Sequence, residues 1–366
     1  MPLDARTILS GPRGRRLCLA EAQHDPHQSI PAAASLGHLL FYAAHHLETA
    51  RGQGGTFFGW GIPDPLPEPS VEDISEALDS IPLTSIGIAD ALEACAASVD
   101  SARYWQEPDG SDELLLDDRL DSSLMRIAEH IVTSPSIEWW SYPMEPQQWA
   151  VKFQGSCFQV PGRSSAAETL RLWSGEMDED EQTAVRERPT DPTANFSGDW
   201  WSRPPFGLAV TTRALPDLGP VGLWLIEDRC DEEPADTHPV TYEGTPRVFE
   251  IVAAESWAEL CRRYPLEITA TRRHDWYRAT GRSGKWMMPD WSRVAHDFDA
   301  VHLSLAAYLS AAGVAIPLDD DFASVIAGWN PDETYWFTDV VTHPVSDATW
   351  MREEQTGWWR RRAFTG

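Results

Sequence analysis

Between Arg262 and Arg293 the chain gathers eight Arg/Lys against three Asp/Glu, although the whole chain carries a formal charge of −28. Within that stretch Arg272, Arg273, Arg278 and Lys285 are interleaved with Trp276, Tyr277 and Trp286. Guanidinium groups offer planar, paired donors that fit carboxylate and phosphate. Aromatic rings offer flat surface for a base or a nicotinamide ring. The combination predicts a site for an anionic, phosphorylated or nucleotide-like small molecule, built from Arg272, Arg273, Trp276, Arg278 and Lys285. His274, beside Asp275, and His302 are the expected proton-transfer residues, and a transferase is the enzymatic form of this reading. The plain alternative is that these arginines pair with the abundant carboxylates. Arg262 and Arg263 already have such a reason, because cations suit the negative end of the helix they close.

Other groupings say less. His296, Asp297, Asp299 and His302 lie close in sequence, but a helix end followed by a strand would scatter their side chains, so no metal site is expected from them. His302 reads either as a histidine facing a polar pocket in a sheet or as a hydrogen-bonded core residue. Asp332 and Glu333 fall at a turn, where carboxylates are ordinarily solvated. His38, Tyr42 and His45 share one face of a helix without a second ligand-rich element. No P-loop, no glycine-rich dinucleotide fingerprint, no nucleophile elbow, no HExxH and no calcium loop occurs. That argues against the familiar kinases, Rossmann oxidoreductases, α/β-hydrolases and zincins, and it leaves any cofactor unknown.

Charge and composition bound the partners. The strongly acidic balance disfavours binding to nucleic acid, which needs Lys and Arg to neutralise phosphates. It also supports a reading of a different class: an acidic interaction module, of the antitoxin or immunity type, that docks a basic protein partner. The N-terminus has no apolar core followed by a cleavage site, and LLFYAA is too short to span a bilayer, so a cytoplasmic protein with no membrane partner is expected. Five scattered cysteines with no CxxC pair argue against a disulfide framework or a zinc ribbon. Eighteen tryptophans are expected chiefly to fill the core and its interfaces.

The elements that must position these residues are of two kinds. Up to residue 190 helical periods dominate, over 35–52 (with Ser35 as cap), 70–81 (Ser70 and Asp73 as a capping box), 88–105, 120–132 and 164–188, interrupted by a Pro-rich spacer at 61–70. Residues 14–22 and 147–160 read as strands. The polar stretch 186–199 reads as a linker. From 200 to 345 β-type runs (LAVTTRA, VGLWLIE, RVFEIVA, DAVHLSL) alternate with short helices, one opening on a Ser256–Glu259 capping box. The run 323–341 reads as a hairpin around Asn330-Pro331-Asp332-Glu333, and 271–286 as loop or hairpin. Residues 346–366 form a tail. The expected class is α+β: a helix-rich N-terminal domain, then an α+β domain with a mainly antiparallel sheet. Trp139-Trp140-Ser141-Tyr142-Pro143 recurs as Trp200-Trp201-Ser202-Arg203-Pro204, a short internal echo.

RRHDWYRATGR, FDAVHLSLAAYL and AGWNPDETYWF resemble segments of hypothetical proteins of high-GC actinobacteria, mainly over 245–341. That resemblance implies neither an activity nor a site residue. ADP-ribosyltransferases use a basic or His residue, an aromatic platform and a late Glu, parts that Arg273 or His274, Tyr277 or Tyr308, and Glu333 match by residue type only. The Ser-Thr-Ser strand and the paired Glu-x-Glu or Gln-x-Glu of that class are missing.

Overall fold

The computed structural model describes residues 3–24, 31–55, 65–154, 165–229, 234–343, 345–353 and 357–362. The N-terminal part is a layer of seven helices: α1 (Ala5–Leu9), α2 (Pro12–Gln23), α3 (Pro31–Ala50), α4 (Val71–Ser80), α5 (Ile88–Asp100), α6 (Gly110–Leu115) and α7 (Asp121–Val132). Helix α4 opens on the expected capping box, in which Ser70 and Asp73 satisfy each other's backbone N–H. Helix α3 starts at Pro31, ahead of the expected Ser35 cap. Residues 14–22 are helical rather than extended, which corrects the sequence reading. Pro12 stands at the first turn of α2, where its missing N–H costs nothing. Leu17, Cys18 and Leu19 are all buried there, so the helix is covered on more than one side. Gly14 lets α1 approach, because a Cβ there would lie 1.9 Å from the Ile8 carbonyl oxygen.

The strands form three larger sheets and one small pair. In the first, β1 (Gln148–Phe153), β5 (Ala235–Thr241), β14 (Ala348–Arg352) and β15 (Trp359–Arg361) follow in order, with β13 (Val341–Thr342) also on β5. The second orders β10 (Ile316–Pro317), β11 (Phe322–Ser324), β8 (Lys285–Pro289) and β7 (Pro265–Glu267), and the third β2 (Ala209–Thr211), β12 (Thr334–Trp336), β9 (Ala300–Leu303) and β6 (Val248–Ile251). The small pair is β3 (Ala214–Leu215) with β4 (Gly219–Pro220). Antiparallel neighbours prevail; β8–β11 and β6–β9 are parallel. Among and around them lie α8 (Ala166–Glu187), α9 (Ala254–Arg263), α10 (Thr269–Thr280), α11 (Trp291–Asp297) and α12 (Leu305–Ala311). The chain is α+β, helix-rich at its N-terminal end.

Four expectations are corrected here. The arms expected to form a hairpin at 323–341 join different sheets, β11 beside β8 and β12 between β2 and β9. Ala323 and Ser324 of β11 and Thr334–Trp336 of β12 are buried, and each strand needs its own sheet interior rather than one solvated face. VGLWLIE is a 3-10 turn at Val221–Leu223, not a strand. Ser256 is the third residue of α9, where its hydroxyl accepts from the Val252 and Ala253 N–H groups, so Glu259 does not close the expected box. Residues 346–366 are no mere tail, since they supply β14 and β15.

One buried cluster runs from Leu17 and Leu92 through Trp257 and Tyr308 to Trp350, and β1 pairs with β5 across the boundary expected near 190–200. Seven tryptophans, among them Trp257, Trp276, Trp291 and Trp329, are less than 2 % exposed, which bears out their role in the core. Cys18, Cys95 and Cys261 are buried free thiols; Cys157, Cys230 and residues 61–64 of the spacer lie outside the described residues. No described helix is long and apolar enough to cross a membrane.

Candidate functional site

The basic stretch is not a loop. Residues 269–280 form α10, whose first N–H groups are capped by Glu181 of α8 at 2.7 and 2.9 Å and which stops at Gly281 in the left-handed conformation. Most of its polar groups are engaged within the fold, although Arg273 Nε is buried without a partner. Arg272 is 1 % exposed, donates to the Trp201 carbonyl at 3.3 Å, and is pushed down to about 10 by burial. Arg278 binds the Phe196 carbonyl at 2.7 Å and pairs with Asp275, which also accepts from the Ser197 hydroxyl and the Gly198 N–H. Trp276 donates to the Trp200 carbonyl and packs edge-on against Trp286, so neither ring offers a stacking face. His274 is buried against Phe196 with neither ring nitrogen bonded, and burial followed by Arg273 lowers its pKa. Lys285 lies on β8 with its ammonium 5.1 Å from the Phe322 ring centre. Arg272, Asp275, Trp276 and Arg278 hold residues 196–201, the end of the expected 186–199 linker and the residues just after it, down on α10.

His302 sits on β9 and is 1 % exposed. Its Nδ1 is 2.6 Å from Glu250 Oε2 and its Nε2 is 3.3 Å from Asp332 Oδ1. Burial opposes its charge, but the bonds to Asp332 and Glu250 win and raise its pKa. Asp332 also accepts from Arg213 Nε at 2.5 Å, the Arg213 N–H at 3.1 Å and the Thr212 hydroxyl at 3.0 Å. Arg213 in turn binds the Tyr142 and Pro143 carbonyls, fixing the end of the first Trp-Trp-Ser repeat. Asp332 is therefore a buried, paired ion and not a solvated turn carboxylate, which corrects the expectation for this turn.

Its neighbour Glu333 faces a different environment. Asn330 Nδ2 donates to Glu333 Oε1 at 2.9 Å, and Asn330 Oδ1 accepts the Glu227 N–H at 2.9 Å. One asparagine thus ties two carboxyl-bearing segments together. Desolvation lifts Glu333 to about 7, against the pull of Asn330 and Arg203. Desolvation lifts Glu227 further, to about 8, against Tyr308 and Arg13. Tyr308 Oη donates to Glu227 Oε1 at 2.8 Å, while Glu227 Oε2 is sealed without a partner. On the far side Arg203 donates to Tyr335 Oη at 3.1 Å; its Nη2 is unbonded, and no carboxylate lies within ion-pair distance among the described residues.

A cavity of about 180 Å³ meets this centre through Arg13 and Tyr104, which line it and lie within electrostatic reach of Glu227. Its apolar wall comes from Pro12, Ala279, Val314 and Ala315, and its polar wall from Arg13, Arg103, Tyr104 and Asp112. Arg13 is 2 % exposed, pairs with Asp112, and reaches Ser101 Oγ at 2.6 Å, yet its Nε has no partner. The Tyr104 hydroxyl, within electrostatic reach of Glu227, Arg13 and Tyr308, is buried without an ordinary hydrogen bond. An apolar pocket with a few converging polar groups and displaced pKa values is the usual form of a small-molecule site. Sequence reasoning reached Tyr308 and Glu333 only by residue type. It missed Glu227, at the end of an apolar run read as strand, and Arg13, just ahead of the 14–22 stretch read as strand.

No protein-family model, no curated protein and no solved structure matches the chain, so the assignment of a role rests on this geometry.

Proposed function

We propose that the protein binds a small anionic molecule in the cavity beside Arg13 and acts on it by proton transfer, with Glu227 as the proton carrier and Tyr308 and Tyr104 between Glu227 and the ligand. The observation that carries this reading is the 2.8 Å hydrogen bond from Tyr308 to Glu227, beside Tyr104 in the cavity wall, with burial pushing the Glu227 carboxyl up to about 8. General acids that work near neutrality are tuned in this way, by burial against a single polar partner. A ligand oxygen beside Arg13 would satisfy its free Nε. The volume favours a molecule smaller than a nucleotide, since drug-sized ligands occupy roughly 300 Å³ or more. This reading moves the anion site away from Arg272, Arg273, Arg278 and Lys285, of which Arg272 and Arg278 donate to backbone carbonyls of the fold, and places proton transfer ahead of group transfer.

A thermal-shift panel of small carboxylates, inorganic phosphate, sugar phosphates, NAD and ATP tests it. A ligand at one hundred times its dissociation constant stabilises by about 2.7 kcal/mol, which is readily measured. The expected result is a shift with one of the small anions that Ala279→Leu, which fills the cavity, removes. Glu227→Gln should keep binding and lose turnover. No shift with any compound, or a shift that Ala279→Leu leaves intact, contradicts the proposal.

A further inference from the structure

We infer that the groove between α8 and residues 199–207 docks a cationic amphipathic segment of a protein partner. Thr169, Leu172, Trp173, Glu176, Met177 and Asp180 line it from α8. Their spacing of three and four residues makes them one stripe of the helix. Trp201 and Phe206 face them across a space of about 290 Å³, their rings edge to face at 5.7 Å. Leu172 is 44 % and Phe206 46 % exposed, so the groove presents large apolar groups to solvent at its mouth. Phe206 is held in place, because the Arg203 guanidinium lies 3.2 Å from its ring centre.

Charge decides the occupant. Glu176 and Asp180 alternate with the apolar positions of the stripe, and no Arg or Lys lies within ion-pair distance of either among the described residues. The nearby cations are already engaged: Arg171 binds Glu168, and Arg186 reaches Thr183. A neutral apolar segment laid in this groove would desolvate two unpaired carboxylates, which is costly. Nucleic acid and anionic lipid would be repelled. A segment that sets one or two large apolar side chains between lysines or arginines satisfies both the floor and the rim, in the manner of a helix laid in a groove. Apolar anchors then supply affinity, and the charges supply orientation and encounter rate.

The test uses the full chain and three fluorescein-labelled probes: an amphipathic peptide of Lys, Leu and Trp, its analogue with Glu for Lys, and oligolysine of equal length. The Lys/Leu/Trp peptide should bind, and the other two should bind at least ~10-fold more weakly, since neither satisfies both floor and rim. Glu176→Lys/Asp180→Lys should weaken it by at least ~10-fold, as should Leu172→Ser. Glu179→Lys/Glu187→Lys makes the same change in net charge elsewhere on α8 and should leave binding nearly intact. All four side chains of the two double variants are exposed, and unchanged melting would exclude misfolding. No binding of the amphipathic peptide, equal binding of oligolysine, or equal losses in the two double variants would overturn the inference.

Discussion

Asp332 and Glu333 are adjacent in sequence, yet their carboxyls are pushed in opposite directions. Both are desolvated, and desolvation alone raises a carboxyl pKa. Asp332 nevertheless falls below its ordinary value, because His302 and Arg213 outweigh burial. Glu333 rises to about 7, because an asparagine amide and a more distant arginine do not. One half of the turn is a filled ion network that fixes β2, β9 and β12 relative to each other. The other half, with Glu227, is left short of partners and titrates near neutrality. When two carboxylates are driven apart in this way, the one kept neutral is the candidate acid. Burial is common to both halves, so the number of charged partners separates a structural carboxylate from a chemically available one.

The contrast can be broken from the structural side first. Arg213→Ala should leave Asp332 buried with only His302, the Thr212 hydroxyl and the backbone N–H of residue 213 to answer its charge, and cost about 3–5 kcal/mol in chemical denaturation. The cavity ligand should still bind to the folded fraction. Arg278→Ala, on α10, should cost less, about 1–2 kcal/mol, since Asp275 keeps Ser197 and Gly198 as donors. If Arg278→Ala instead abolished ligand binding with little loss of stability, the anion site would belong to the basic helix after all.

The chemically available side predicts a pH dependence. Burial pushes the Glu227 carboxyl up to about 8 in the folded chain, against 4.5 for an ordinary glutamate. The folded state therefore favours its protonated form. Its contribution is fully present below pH 4.5 and is lost progressively as pH rises toward 8. Glu227→Gln removes that loss, so the variant should gain melting temperature relative to wild type between pH 5 and pH 8. A constant difference across that range would mean that Glu227 ionises normally. The smallest expected effect is that of Tyr104→Phe. Its hydroxyl has no ordinary partner to lose, so stability should change by less than about 1 kcal/mol, while turnover of a cavity ligand should fall.

The sequence made the helical layer legible because caps and period agree there. Ser70 and Asp73 close α4 as their types demand, and α5, α7 and α8 follow their apolar spacing. It misled wherever an apolar run was buried on more than one side. Leu17, Cys18 and Leu19 fit a strand as well as a helix, and they are all buried in α2, so no solvated face marks the period. In α10 the period was hidden because Arg272 and Trp276, four residues apart, are both buried, and an arginine does not announce an inward face. The candidate site was less legible still. The partners of Glu227 come from α2, α12 and the 330–333 turn, and nothing local to Glu227 marks that convergence.

The most direct measurement is a pH titration of the protein with ¹³C-labelled glutamate carboxyls, followed by NMR in wild type, Glu227→Gln and Glu333→Gln. The account predicts two carboxyl signals that titrate as a coupled pair near about 7 and about 8, one missing from each variant. If every glutamate titrates around its ordinary value of 4.5, the centre is a packed polar contact and the proton-transfer reading fails.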